Sequence, residues 1–304
     1  MHEQESLLNI ENHKDQLIFY KIMNYPIPRT PEYLLFEKKL PKPVPHWTFN
    51  KSFSWHKKTP YMEEYASYIN KFWRLYKSLP FIQSLYICNS LSFNAIKKDS
   101  DIDLFIITKK NKLWRARAFS VLFFVIFWLK RSLTKKSKKF CLSFYITEDA
   151  QNLYSITLPK TDIYFSYWLA HLVPLYQEQA CVAWNCGESN IYQHNKRLNV
   201  LLPNFPNEHI INIGTKMRNW TTRTKKIIEF FFGGLFGWII ERLIKWLRLP
   251  LVIHKTKKHG EDGWWIILSK SMLKFHMDIR KKVRVNYNLR KKWIHKSIYG
   301  IQEK

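Results

Sequence analysis

The sequence predicts an α/β (α+β) protein, with a small mixed sheet flanked by helices and a mostly helical C-terminal region. Three observations carry this prediction. Short apolar runs at 84–88, 102–108 and 139–147 alternate with longer stretches whose apolar residues recur at helical spacing, as expected for strands covered by helices. Apolar residues make up 46% of the chain and aromatics 16%, which argues for a real core and against disorder. A length of 304 residues leaves room for one large domain or two ordinary ones.

Taken in order, residues 8–40 read as short helices broken by Pro26, Pro28 and Pro31, and 41–58 read as a proline-extended linker. A helix over 61–79 follows, with Tyr65, Tyr68, Phe72 and Leu75 along one stripe, and Pro80 stops it. Then come strand 84–88, a turn and short helix through Ala95, strand 102–108, helix 113–131, the basic connector 135–139 and strand 139–147. A helix from 163 through 176 carries His171, expected to be a satisfied core histidine. Further helices are expected over 209–232, 234–248 and 264–300, the last with a solvated basic face. The organisation predicted is an N-terminal helical segment and linker (1–58), a core (59–200) and a helical C-terminal region (201–304).

Two apolar segments bear on the membrane. Residues 118–129 form an apolar run of only twelve between Arg117 and Lys130, too short to cross a bilayer and suited to a buried helix. Phe230 to Ile240 continues through Arg242, Lys245 and Arg248 as a basic, Trp-bearing helix. Core packing with a solvated basic face is the expectation for it; a helix lying on a membrane surface through 230–249 is the alternative.

The net charge of +27, from 50 basic and 23 acidic residues, favours anionic partners: nucleotides, nucleic acid or an anionic membrane surface. Lys outnumbers Arg 37 to 13, whereas base-reading proteins favour the Arg fork. Cys88 and Cys141 lie in apolar strand contexts, as small buried hydrophobes do, and Cys181 and Cys186 lack the spacing of a zinc site. The polar start Met1-His-Glu-Gln-Glu5 has no apolar core, so a reducing cytoplasm is the expected compartment.

The stretch that carries chemistry is Cys88-Asn-Ser-Leu-Ser-Phe-Asn-Ala-Ile-Lys-Lys-Asp-Ser-Asp-Ile-Asp103. A strand repeats every two residues, so Asp101 and Asp103 share one face while Ile102 and Leu104 share the other. Paired carboxylates repel unless a cation lies between them, and hard oxygens on a rigid face suit Mg²⁺ held together with substrate phosphates.

Ser90 through Thr108 resembles the Gly-Ser…Asp-x-Asp motif of the DNA polymerase β-like nucleotidyltransferase superfamily, within it a bacterial group of nucleotidyltransferase-domain proteins. Leu113-Trp-Arg-Ala-Arg117, Phe140-Cys-Leu-Ser-Phe-Tyr-Ile-Thr147, Tyr167-Trp-Leu-Ala-His-Leu-Val-Pro-Leu175, Leu202-Pro-Asn-Phe-Pro206 and Leu268-Ser-Lys-Ser-Met-Leu-Lys-Phe-His276 look like the same group. The region after Gln16 resembles the start of a small winged-helix segment. The resemblance implies a Mg²⁺-dependent enzyme, with one or two ions, that moves a nucleoside monophosphate from an NTP to a hydroxyl-bearing acceptor: a small molecule, a protein side chain or an RNA end. It implies that Asp101 and Asp103 ligate Mg²⁺, that the turn at Asn89 and Ser90 holds phosphate, and that Lys98 or Lys109 steers the triphosphate.

Two positions depart from the pattern. Asn89 replaces the usual glycine, and asparagine tolerates the left-handed backbone that such a turn requires. The third carboxylate belongs on strand 139–147, whose central polar residue is Ser143; Glu148 and Asp149 just beyond it are the acids available to replace it. A catalytically weak nucleotide- or nucleic-acid-binding module that retains the fold is therefore the second reading.

Overall fold

The structure, a computed structural model, describes residues 61–93, 95–132, 137–159, 162–178, 191, 195, 223–259 and 264–299. The expectations for 1–58, for 201–222 and for the Cys181–Cys186 pair lie outside the described residues.

The α/β architecture is as the sequence predicts: one six-stranded mixed sheet with helices on both faces. Its strands are β1 (Ile82–Cys88), β2 (Ile102–Thr108), β3 (Phe140–Thr147), β4 (Val173–Gln177), β5 (Trp264–Leu268) and β6 (Met272–Met277), in the spatial order β4-β1-β2-β3-β6-β5. Only β2 and β3 run parallel; every other neighbouring pair is antiparallel. The parallel pair needs a crossover, and α3 (Leu113–Ile126) supplies it.

The central strands are buried on both faces, so β2 reads as an unbroken apolar run after its acids. On one face Tyr86, Phe105, Ile107, Phe144 and Ile146 pack under α4 (Ile163–Ala170) and α7 (Arg280–Tyr299). On the other, Leu85, Leu104, Ile106 and Tyr145 pack under α1 (Met62–Asn70), α2 (Trp73–Ser78), α3, α5 (Arg223–Gly233) and α6 (Leu235–His259). Asp162 fixes the first layer: it caps α4 through the Phe165 amide at 3.1 Å and receives the buried Arg280 guanidinium of α7 at 3.2 Å. Arg280 also lies 3.2 Å from the centre of the Trp265 ring.

Several expectations change. The helix expected over 61–79 is two helices, broken at Lys71 and Phe72. Residues 89–93 form a turn rather than a turn and short helix. The helix expected from 163 through 176 ends at Ala170, because Leu172-Val-Pro-Leu175 returns as the edge strand β4, where a proline has no ladder bond to break. The helix expected over 264–300 begins only at Arg280; Trp264-Trp-Ile-Ile-Leu268 and Met272–Met277 are a hairpin about Ser269-Lys-Ser271. A short apolar run fits a buried strand and a helix equally well, and here the aromatic and β-branched side chains fit the pleat. This hairpin, from the expected helical region, belongs to the core sheet beside β3.

His171 is a buried core residue whose Nδ1 lies 2.7 Å from the Tyr167 carbonyl, and burial pushes its pKa down to about 4. Among the described residues no helix is long and apolar enough to cross a membrane.

Candidate functional site

Register brings the motif together. Antiparallel pairing sets Cys88, the last residue of β1, opposite Asp103, so the turn after β1 and the acids at the start of β2 share one end of the sheet. Asn89 adopts φ 60°, the left-handed backbone expected of it. Its carbonyl accepts from the Phe93 amide at 3.0 Å and the Ser92 hydroxyl at 2.9 Å, and the Ser90 carbonyl accepts from the Ala95 amide at 2.8 Å. The Asn89 side chain is held by a helix above and by another strand of the sheet: Tyr164 of α4 donates to Oδ1 at 3.3 Å, and Nδ2 lies 3.4 Å from His276 Nε2 of β6.

Asp101 and Asp103 lie side by side as the strand period requires. Asp103 is 6% exposed, and its Oδ1 is buried and accepts no hydrogen bond among the described residues. The nearest cationic candidate is His276 Nε2, at 4.0 Å, beyond hydrogen-bond reach. Asp101 accepts from the Arg131 guanidinium at 2.5 Å. Burial, and then the neighbouring Asp103 charge, raise the Asp101 pKa, with Arg131 opposing them.

The third position differs from the sequence expectation. Between Cys141 and Phe144 the parallel ladder slips by one residue: β3 advances three positions while β2 advances two, from Asp103 to Phe105. Cys141 lies directly opposite Asp103, before the slip, and Ser143 hydrogen-bonds its thiol instead of standing opposite an acid. Ligand atoms of Asp101, Asp103 and Cys141 all lie within 4.8 Å of one another. The Cys141 sulfur is 3.7 Å from the Arg131 guanidinium; burial, and then the Asp103 charge, push its thiol up to about 12. Glu148 and Asp149 do not replace the third acid. They sit at the opposite end of β3, where Glu148 accepts from the Lys110 amide at 3.0 Å and Asp149 from the Thr147 hydroxyl at 2.5 Å.

The structure also separates the two lysines. Lys98 sits in the exposed turn between motif and acids, where its carbonyl accepts from Tyr65 Oη at 3.1 Å and the Ser137 hydroxyl at 3.0 Å. Lys109 is at the far end of β2, six residues or about 20 Å from Asp103 along the strand. There it pairs with Glu178 at 3.1 Å and Glu229 at 2.9 Å, beside the buried Lys225, so it steers nothing toward the acids.

Sequence reasoning missed four residues: Arg131, Cys141, Tyr164 and His276. Arg131 follows α3 and Tyr164 lies on α4; neither carries a motif signal. His276 lay in a segment already quoted for its resemblance, but a helix there hid its partnership with Lys274 on one strand face. Lys274 is buried 3.7 Å from the Phe144 ring centre and 4.0 Å from that of Trp265, and burial pushes its pKa down to about 7. It is the floor of the acid face.

The donor set bears on which ion fits. Two carboxylates, one of them with an orphaned, buried oxygen, fit a single hard divalent cation completed by phosphate and water oxygens. The thiol at the third position adds no hard oxygen for a second. No family model matches the chain, and neither a curated protein nor a solved structure matches it.

Proposed function

We propose that the chain is a nucleotidyltransferase of the DNA polymerase β-like type, moving a nucleoside monophosphate from an NTP to a hydroxyl on a small molecule, a protein or an RNA end. One observation carries the reading: a buried Asp103 oxygen without a donor among the described residues, paired with Asp101 at the mouth of a turn that has φ 60° at Asn89. Leaving a buried anionic oxygen unmet is costly, and a bound cation would remove that cost.

In this reading Asp101 and Asp103 hold one Mg²⁺, which when bound neutralises phosphate charge and acidifies the attacking hydroxyl. The turn at Asn89 and Ser90 receives phosphate, with Tyr164 and His276 fixing the Asn89 side chain so that the turn keeps its shape. Arg131, held at Asp101, would present the rest of its fork to phosphate oxygens. His276, one-third exposed and next to Asp103, is positioned to accept the acceptor's proton. Lys98, exposed beside the acids, remains the lysine suited to draw in the triphosphate.

Cys141 and Arg131 favour a second reading, a nucleotide-binding module that keeps the site without turnover, because the third carboxylate is a thiol and a guanidinium already neutralises Asp101. Incubation with labelled NTPs, Mg²⁺ and cell extract separates the two. Transfer of label that Asp101→Asn and Asp103→Asn abolish supports the enzyme; transfer indifferent to both overturns it. Mg·NTP binding without transfer to any acceptor supports the module.

A further inference from the structure

The helices α5 and α6 present to solvent what a folded chain normally hides. Along α6 the inner stripe is Gly237, Glu241, Ile244 and Leu249, which meets α3 and the core. Many of the remaining side chains are apolar too, yet outward. Phe230 and Leu235 are each 81% exposed and Trp246 72%, with Trp238 and Leu251 likewise in solvent. At the end of α3, which packs on α6, Trp128 is 83% exposed. The core packing expected for 118–129 and 230–240 holds on one side only: Phe124 and Leu129 are buried and Phe232 packs on the core, while Trp128, Phe230 and Leu235 stay in solvent. Apolar residues cover the outer as well as the inner sides of these helices, and a single inner stripe suffices to dock them.

So many exposed aromatic and aliphatic side chains on two neighbouring helices mark an interaction site. Its charges say with what. Arg223, Lys226, Arg242 and Arg248 are exposed on the same two helices. Glu229 and Glu241 are their only carboxylates, and both turn inward: Glu229 to Lys109, Glu241 to Arg115. The outward face is thus Trp-bearing, cationic and free of carboxylates. A second copy of the same face would oppose cation to cation, and a polynucleotide would leave the apolar rings uncovered. The charged residues within α6 keep it from crossing a bilayer, which leaves it parallel to one.

We propose that the outer face of α5, α6 and the end of α3 docks on an anionic phospholipid bilayer, lying in its interface. The proposal is independent of nucleotidyl transfer. The test is flotation of the full chain with vesicles of phosphatidylcholine alone, or mixed equally with phosphatidylglycerol, at low and high salt. Its controls are a Phe230→Ser/Leu235→Ser/Trp246→Ser variant, whose exposed positions leave the core untouched, and an Arg242→Gln/Arg248→Gln variant. Partition at least about tenfold stronger onto the anionic vesicles is expected, weakened by salt and lost by about tenfold in the triple variant. Circular dichroism confirms that the variants remain folded. Three outcomes overturn the proposal. One is no binding at low salt; another is binding that the triple variant retains and only the arginine variant loses, which is charge attraction alone. The third is a dimer, seen by sedimentation velocity without vesicle binding and abolished by the triple variant, which assigns the face to a second copy.

Discussion

Asp103 holds a carboxylate oxygen below the surface that no donor meets among the described residues, and such a group is kept for a ligand rather than for stability. Asp103→Asn is accordingly expected to raise the melting temperature of the ion-free protein by about 2–4 °C while abolishing its stabilisation by Mg²⁺, as thermal unfolding with and without the ion will show. Cys141→Asp is the converse. It sets a third negative charge beside two others, so the ion-free protein loses about 1 kcal/mol or more, and Mg²⁺ then binds about tenfold more tightly than to the natural chain. A titration of unfolding midpoint against Mg²⁺ reads both effects. His171 supplies the pH dependence. Its folded-state pKa is depressed to about 4, so below the ordinary value of 6.5 the unfolded chain binds a proton that the native state refuses. Stability falls as pH drops through that window, by about 3 kcal/mol in total, and His171→Gln should flatten the slope of urea midpoint against pH. The pairing of Asp101 with Asp103 was legible, because strand parity alone fixes it. Cys141 was not, because which β3 residue stands opposite Asp103 depends on the register against β2 rather than on β3's own residues.

Among elements, the attachment of α6 to α3 rests on few contacts with high stakes. Glu241 accepts from the Trp114 amide at 2.6 Å, the Arg115 amide at 2.9 Å and the Arg115 side chain at 2.9 Å, so a carboxylate from one helix caps the N-terminus of another. Arg115 itself is 2% exposed and donates to the Phe232 carbonyl. Glu241→Ala strands that guanidinium and should cost about 3 kcal/mol by urea unfolding. Gly237 sits where a methyl group would strike the Phe232 carbonyl and the Arg115 side chain, so Gly237→Ala should cost about 1–3 kcal/mol in the same measurement. None of this was readable along the chain, since the cap joins residues 127 apart. The strands β2 and β3 were legible to within a residue because they are buried, apolar and bounded by polar turns. The hairpin β5–β6 was not: Trp264-Trp-Ile-Ile-Leu268 has no alternation to distinguish a doubly covered strand from a helix.

For the whole molecule, the α/β class followed from alternating segments, whereas the sidedness of α6 did not, because hydrophobicity along a sequence does not say which apolar faces find a partner. That sidedness gives the sheet a further consequence. The acids share a face with Phe105 and Phe144 beneath α4 and α7, while α3, α5 and α6 cover the reverse. The sheet is therefore a partition. With α6 resting on a bilayer, the acids would face away from the lipid, yet Arg131, three residues beyond the exposed Trp128, joins the two sides at the edge of the site through Asp101. An acceptor would then have to come round this end of the sheet rather than through it.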